Sequence, residues 1–163
     1  SPHSDWRMAE TPLDIILFEG WCVGATPQAT EELRHPVNSL EELDDAEGRW
    51  RDHVNSQLAT DYARLFASLD LLLMLKIPSM EWVFTWRGLQ EQKLAAQSQR
   101  TDATQLMDKA ALQRFIMHYE RLTRHMLAEM PDRANLVLRL NSVHQIDAVR
   151  INNWPATKGQ RKT

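Results

Sequence analysis

The chain has 163 residues with 19 basic and 22 acidic side chains, which gives a formal net charge of −3. Hydrophobic residues make up 43% and charged residues 25% of it, which is typical of a globular domain and excludes a collagen-like, low-complexity or wholly disordered protein. The acidity disfavours a nucleic-acid partner, and the absence of a long apolar run disfavours a membrane span. With one cysteine, Cys22, and no apolar signal segment at the start, the predicted location is the cytoplasm.

The first half of the chain predicts one strand, one loop and two helices. Four consecutive apolar residues, two of them β-branched, predict a buried strand over residues 14–18. Two prolines and a glycine predict a loop over residues 21–38, and residues 40–47 suit a short acidic helix. Apolar residues at helical spacing then predict one amphipathic helix over residues 49–69.

The second half predicts further alternation of strands and helices. A continuous apolar run closed by Pro78 predicts a buried strand over residues 70–77, and Ser79 is a suitable N-cap for a helix to residue 97. A polar connection over residues 97–108 leads to a long helix around residues 112–127, which Pro131 is expected to end. Residues 134–140 and 145–151 then suit two more strands, before a polar tail over residues 152–163.

This order of elements predicts an α/β fold with a mainly parallel sheet covered by helices on both faces. Three or four strands are fewer than the five or more that such a sheet normally has, so the sheet is interpreted as incomplete at its N-terminal side. The predicted domain spans residues 1–151 and the tail the remainder.

Two charged residues are candidates for phosphate chemistry. Glu19 follows the first predicted strand, at the sheet edge where α/β proteins bind ligands and where a Walker B acid would face magnesium. Arg87 lies on the helix over residues 79–97, where its guanidinium could stabilise a transferring phosphoryl group. Taken alone, Glu19 is better explained as a solvated strand end, and Arg87 as a partner of Glu91 on an exposed helix face.

Other polar and aromatic groups suggest less specific sites. Arg49, Arg51 and Asn55, near His53, suit the binding of an anionic substrate, although a solvated helix face explains the same pattern. The tryptophans could surround a ligand but are more often core residues at helical spacing. The histidines lack a zinc-binding spacing, and neither a Ser-His-Asp arrangement nor a G-x-x-x-x-G-K-[ST] loop is present.

An ordered series of motifs resembles the D-glycerate 3-kinase-like branch of the P-loop kinases, relatives of uridine kinase and phosphoribulokinase. The first and most characteristic segment covers residues 14–24 (DIILFEGWCVG). The others, in order, are residues 36–41 (PVNSLE), 48–51 (GRWR) with 54–55, 78–79 with 86–87 and 90–91, and 115–124 (FIMHYERLTR). The similarity runs from about residue 14 to residue 144, which is most of the chain.

The resemblance implies a three-layer α/β/α P-loop fold and ATP-dependent phosphorylation of a small hydroxyl compound such as glycerate. It implies that Glu19 is a catalytic acid near Mg²⁺, directly or through water. It also implies that the helix over residues 79–98 is a lid over ATP, with catalytic Arg87, and with Gln90 and His144, at the nucleotide. Substrate binding is assigned to four residues: Trp21, Arg49, Arg51 and Asn55.

The phosphate-binding loop of that family lies upstream of the motif at residues 14–24, and only 13 residues precede Asp14 here. The chain is therefore interpreted as the C-terminal part of such a kinase, inactive when isolated. The alternative is a non-catalytic remnant of the fold, or a module that binds a protein partner. A nucleic-acid binder using the basic tail is disfavoured by the net charge.

Overall fold

The computed structural model describes residues 12–97 and 107–154, which form a mixed α/β fold. The helices and strands follow in chain order: a 3-10 helix Thr30–Arg34, α1 Ser39–Asp44, α2 Arg49–Ala59, α3 Asp61–Phe66, β1 Leu73–Lys76, α4 Met80–Gln97, α5 Lys109–Arg133, β2 Leu136–Leu140 and β3 Ile146–Ile151. These elements confirm the predicted short acidic helix, the helix after Ser79, and three of the predicted strands.

The three described strands form one mixed sheet in the order β1-β2-β3. β1 and β2 are parallel, with Leu73 opposite Leu136, and α4 and α5 lie between them in the chain. β3 is antiparallel to β2. The turn between Leu140 and Ile146 that joins them is too short for the crossover that a parallel pair requires. The expectation of a mainly parallel sheet therefore holds for one of the two strand pairs.

One face of the sheet packs against α5. Met74 of β1 and Val137 of β2 form a buried cluster with Met130 and Ala134 at the end of α5. The opposite face carries Leu73, Leu75, Val149 and Ile151, which are all exposed. In the described part of the sheet, full apolar burial is thus confined to one face, because Leu136 and Leu138 on the other face are only half-buried. The three-layer arrangement stays a prediction.

The predicted buried strand over residues 14–18 is not formed. These residues have no regular secondary structure, and Ile15, Ile16 and Leu17 are 86%, 77% and 88% exposed. A strand exists through hydrogen bonds to a neighbouring strand, and β1, β2 and β3 pair with one another rather than with this segment. The apolar run has the composition of a buried strand without a partner in the described residues.

Two helix boundaries also differ from the predictions. The helix expected over residues 49–69 is divided into α2 and α3 at Thr60, whose φ is −118° and ψ −87°. The Thr60 hydroxyl donates to the Ser56 carbonyl at 2.8 Å, a local bond that competes with regular helix geometry. Pro131 does not end α5, because the helix continues for two residues and the Ala134 amide donates to the Met130 carbonyl at 2.8 Å.

The remaining predictions differ from the structure by small amounts or concern residues outside the described ranges. The loop predicted over residues 21–38 contains the 3-10 helix Thr30–Arg34. The strand predicted over residues 70–77 is buried at Met74 but exposed at its neighbours Leu73 and Leu75. Most of the polar connection and of the tail lies outside the described residues.

A second apolar cluster fixes α4 on α5. Met80 at the start of α4 packs with Leu112 and Ile116 of α5, and all three are buried. Val83 and Phe84 pack against this cluster from the next turn of α4. Because α5 also packs on the sheet, it sets the position of α4 relative to β1 and β2.

A buried carboxylate attaches the helices before β1 to α5. Glu41 of α1 accepts two hydrogen bonds from Arg121 of α5, at 2.8 Å from Nε and 2.7 Å from Nη2. The same carboxylate lies 3.6 Å from Nη1 of Arg51, whose side chain is only 4% exposed, and accepts from the Val37 amide at 2.9 Å. Gly48 has φ +72°, and a Cβ there would lie 3.0 Å from Arg51 Nη2, so glycine leaves room for this pair.

The Glu41 carboxylate is expected to stabilise the fold strongly. Glu41→Gln removes the charge that compensates two buried guanidinium groups, and we expect a loss of about 3–5 kcal/mol in the free energy of unfolding. The matched control is Asp44→Asn, which breaks an exposed α1–α5 ion pair with Arg114 and should cost less than about 1 kcal/mol. Urea denaturation followed by circular dichroism measures both, and equal losses would show that burial does not strengthen the Glu41 contact.

Candidate functional site

A cleft of about 410 Å³ lies beside α4, at the turn between β2 and β3. Three of its residues, Arg87, Gln90 and His144, are the predicted nucleotide-binding residues. His144 follows β2 and is more than 50 positions away from Arg87 and Gln90 in the sequence, so the fold brings it to the other two. The full lining is Val83, Trp86, Arg87, Leu89, Gln90, Lys93 and His144.

One wall of the cleft is a pair of aromatic rings, Trp86 from α4 and His144 from the turn between β2 and β3. The rings of Trp86 and His144 lie 4.0 Å apart between centroids, with an angle of 34° between their planes, and Trp86 Nε1 donates to the Ser142 carbonyl at 3.3 Å. His144 has φ +62°, a conformation that costs energy for a residue with a Cβ. The Asn141 side chain supports it by accepting from the amides on either side, those of Val143 and Gln145, both at 3.0 Å.

Arg87 lies in the cleft and is also engaged on its own helix. Its Nη1 donates to Gln90 Oε1 at 2.6 Å, and its Nη2 lies 3.4 Å from Glu91 Oε1. The guanidinium sits 5.3 Å from the ring centre of Phe115 on α5, a cation–π contact. The Arg87–Glu91 ion pair that the helical spacing suggests is therefore present, and Arg87 also lines the cleft.

Glu19 and Trp21 lie on the segment before the 3-10 helix. Glu19 is exposed, with no ion pair or hydrogen bond to the parts of the chain that the structure describes. Trp21 Nε1 donates to the Thr123 hydroxyl of α5 at 3.0 Å, and its ring meets Tyr119 edge-on at 4.7 Å. Trp21 is thus anchored on α5, while the carboxylate two residues earlier is available to a ligand.

The other predicted substrate-binding residues have separate environments. Arg49 is exposed and pairs with Glu47, whereas Arg51 is buried in the Glu41 network. Asn55 accepts from the Gln28 amide at 2.7 Å and donates to the Gln28 carbonyl at 3.0 Å. The α4 cleft includes none of these residues, so their shared role in binding a substrate stays a prediction.

Sequence reasoning did not single out Lys93, which also lines the cleft. The signal that could have found it is its spacing: Trp86, Gln90 and Lys93 are four and then three residues apart, which places them on one face of a helix. A second groove, of about 900 Å³, lies between α4 and α5 near Gly88 and Leu112, and no predicted site residue lines it.

The described residues contain neither a cluster of metal-ligating side chains nor an activated cysteine. His118 bonds to the Arg114 carbonyl and His125 to the Thr26 hydroxyl, and residues 12–97 and 107–154 hold no group of three His, Cys, Asp or Glu side chains that could bind a metal. Burial raises the pKa of the Cys22 thiol, which is the opposite of nucleophile activation. No helix in these ranges is long and apolar enough to cross a bilayer.

Comparison with known proteins confirms the resemblance to glycerate kinases. No family model matches the chain. It is 28% identical over 124 residues to an uncharacterised kinase of Schizosaccharomyces pombe, covering 72% of this chain and 40% of that protein. It is 30% identical over 84 residues to the chloroplastic D-glycerate 3-kinase of Arabidopsis thaliana, covering 52% of this chain and 16% of that protein.

The fold is similar to that of a solved D-glycerate 3-kinase from Cryptococcus neoformans. The TM-score is 0.64 at 20% sequence identity, over 88% of this chain and 51% of that one. The chain is thus similar to kinases of this kind in sequence and in fold. It spans about half or less of the length of each of these three proteins.

The two hydrogen bonds of Asn55 to the Gln28 backbone predict a structural role that can be measured. Asn55→Ala leaves the amide and the carbonyl of Gln28 without their partner, and we expect a loss of about 1–3 kcal/mol in the free energy of unfolding. The control on the same helix is Ser56→Ala, which removes an exposed hydroxyl bonded to its own helix and should cost less than about 0.5 kcal/mol. Urea denaturation measures both variants, and an unchanged midpoint for Asn55→Ala would leave ligand binding as its role.

Proposed function

We propose that the chain is part of an ATP-dependent kinase that transfers a phosphoryl group to the hydroxyl of a small, glycerate-like molecule. The observation that carries this proposal is the single cleft shared by Arg87, Gln90 and His144. These residues come from two distant parts of the chain, and the resemblance implies that all three lie at the nucleotide. The similarity to kinases, two of which are D-glycerate 3-kinases, supports the same reaction class.

In the proposed reaction, Arg87 stabilises negative charge on the transferring phosphoryl group. Its Nε is buried and has no hydrogen-bond partner in the described residues, so its present position leaves one donor unsatisfied. A phosphate oxygen would satisfy that donor after a change of side-chain rotamer. The cost of leaving Glu91 is moderate, because the two charges are 3.4 Å apart and the arginine side chain is partly exposed.

The proposed magnesium ligand is Glu19. Mg²⁺ in kinases is usually held by one or two carboxylates together with substrate phosphates and water, so one available carboxylate fits this requirement. Glu19 is exposed and not engaged elsewhere in the described residues. When bound, Mg²⁺ would offset charge on the phosphates. Glu19 would hold it directly or through water, on a segment that Trp21 attaches to α5.

Binding of the hydroxyl substrate is assigned to Trp21, Arg49, Arg51 and Asn55. Arg49 suits an anionic substrate best, because it is exposed and its pair with Glu47 is solvated. Arg51 would act by holding α2 in place, since its guanidinium is buried between Glu41 and Asp45. Glycerate carries a carboxylate, which a guanidinium binds through paired hydrogen bonds.

The phosphate-binding loop of the proposed enzyme has to come from outside these 163 residues, which contain no G-x-x-x-x-G-K-[ST] segment. The exposed apolar face of the sheet and the exposed run Ile15, Ile16 and Leu17 support this view, because both have the composition of buried structure. We therefore expect the isolated chain to be inactive. The cytoplasmic location remains a prediction.

A second candidate is a non-catalytic module that binds a protein partner, and the same exposed apolar surface favours it. The two candidates differ in the reading frame upstream of Ser1. A strand followed by a glycine-rich loop with Gly-Lys-Ser/Thr supports the kinase, whereas an initiating methionine directly before Ser1 supports the module.

Two substitutions test the catalytic assignments in the protein translated from the complete reading frame. Glu19→Gln and Arg87→Ala should each lower kcat for ADP formation from Mg-ATP and D-glycerate by roughly 100-fold or more, because each removes a charge that faces the transferring group. Circular dichroism should show an unchanged fold.

The control for these variants is Arg64→Ala, which removes an exposed arginine of α3 paired with Asp61. It should leave kcat within about twofold of the parent protein. Full activity in both the Glu19 and the Arg87 variants would contradict the assigned roles.

A further inference from the structure

Lys93 and Arg87 are the two cations that line the α4 cleft, and they differ in how far neighbouring groups compensate their charges. Arg87 contacts Gln90, Glu91 and the Phe115 ring. Lys93 is exposed, and none of the ion pairs within residues 12–97 and 107–154 involves it. An anion that enters the cleft therefore meets an uncompensated charge at Lys93 and a partly compensated one at Arg87.

The spacing of Lys93 from the aromatic wall suits a ligand with two unlike ends. Lys93 follows Trp86 by seven residues, which is two turns of helix or about 10 Å along the axis of α4. The Trp86–His144 pair contributes aromatic surface to the cleft, and Gln90 lies between Trp86 and Lys93 on the same helix face. A planar heterocycle joined through a sugar to phosphates has this distribution of apolar surface and charge.

We propose that Lys93 binds the phosphates of a nucleoside di- or triphosphate whose base packs against Trp86 and His144. This inference rests on the proposed function and adds to it a phosphate-binding residue. Lys93 makes the first contact with the phosphates, because no carboxylate has to be displaced from it. Arg87 joins only after its guanidinium leaves Glu91.

The test compares ADP with adenosine on the 163-residue chain, because the two ligands share the base and differ in the phosphates. Binding is measured through the NMR relaxation of the adenine H8 proton in millimolar titrations without magnesium. Lys93→Gln should weaken ADP binding roughly tenfold, Lys93→Arg should retain most of it, and adenosine binding should be the same in all three proteins.

The matched control is Lys109→Gln, since Lys109 lines the second groove between α4 and α5 and should not affect ADP binding. If ADP binds the unaltered chain but Lys93→Gln has the same affinity, Lys93 is not a phosphate-binding residue, while the proposed function stands. If neither ADP nor adenosine binds the unaltered chain, the cleft does not hold a nucleotide by itself and the Lys93 proposal falls. The proposed function takes its phosphate-binding loop from outside these residues, so it is overturned only by full activity of the Glu19 and Arg87 variants. Circular dichroism of each variant separates lost binding from lost folding.

Discussion

The buried carboxylate of Glu41 is the contact on which the first half of the described fold depends. It joins Arg121 of α5 to Arg51 of α2, and it accepts a hydrogen bond from the Val37 amide, just before α1. Charges this well buried are stable only when they are paired, so the three side chains hold their helices in one arrangement. Through α5 the same arrangement reaches the sheet and α4, because α5 packs against both.

The two sides of the candidate site, α4 and the turn between β2 and β3, are held within this framework by different contacts. α4 is held by the apolar cluster of Met80 with Ile116, whereas His144 is held by a turn that continues from the sheet. The hydrogen bond from Trp86 to the Ser142 carbonyl joins the two walls. A cleft between a helix and the turn after a strand can widen or narrow when the helix moves, which is what a lid over a nucleotide requires.

Helical spacing of apolar residues predicted α4 and most of α5, and apolar runs predicted the three strands. These patterns failed where the outcome depends on a partner. Residues 14–18 resemble a buried strand but have no strand beside them in the described residues. Pro131 does not end α5, because the hydrogen bond from the Ala134 amide to the Met130 carbonyl supports the last turn. For the site, the three residues that the resemblance assigns to the nucleotide, Arg87, Gln90 and His144, line one cleft, and their role there stays a prediction. The resemblance did not reveal that Arg51 is buried in an ion-pair network or that Lys93 faces the cleft, because side-chain partners are set by tertiary contacts.

The most direct measurement of the central claim is a map of where Mg-ADP binds, from backbone amide shifts of the isotopically labelled protein translated from the complete reading frame. A nucleotide bound in the α4 cleft should shift amides in two separate segments, around residues 86–93 and around residues 141–145, by amounts that increase together during titration. Shifts confined to the α5 side of the second groove, around Lys109 and Leu112, or no shifts at all, would contradict a nucleotide site at the α4 cleft and with it the proposed kinase.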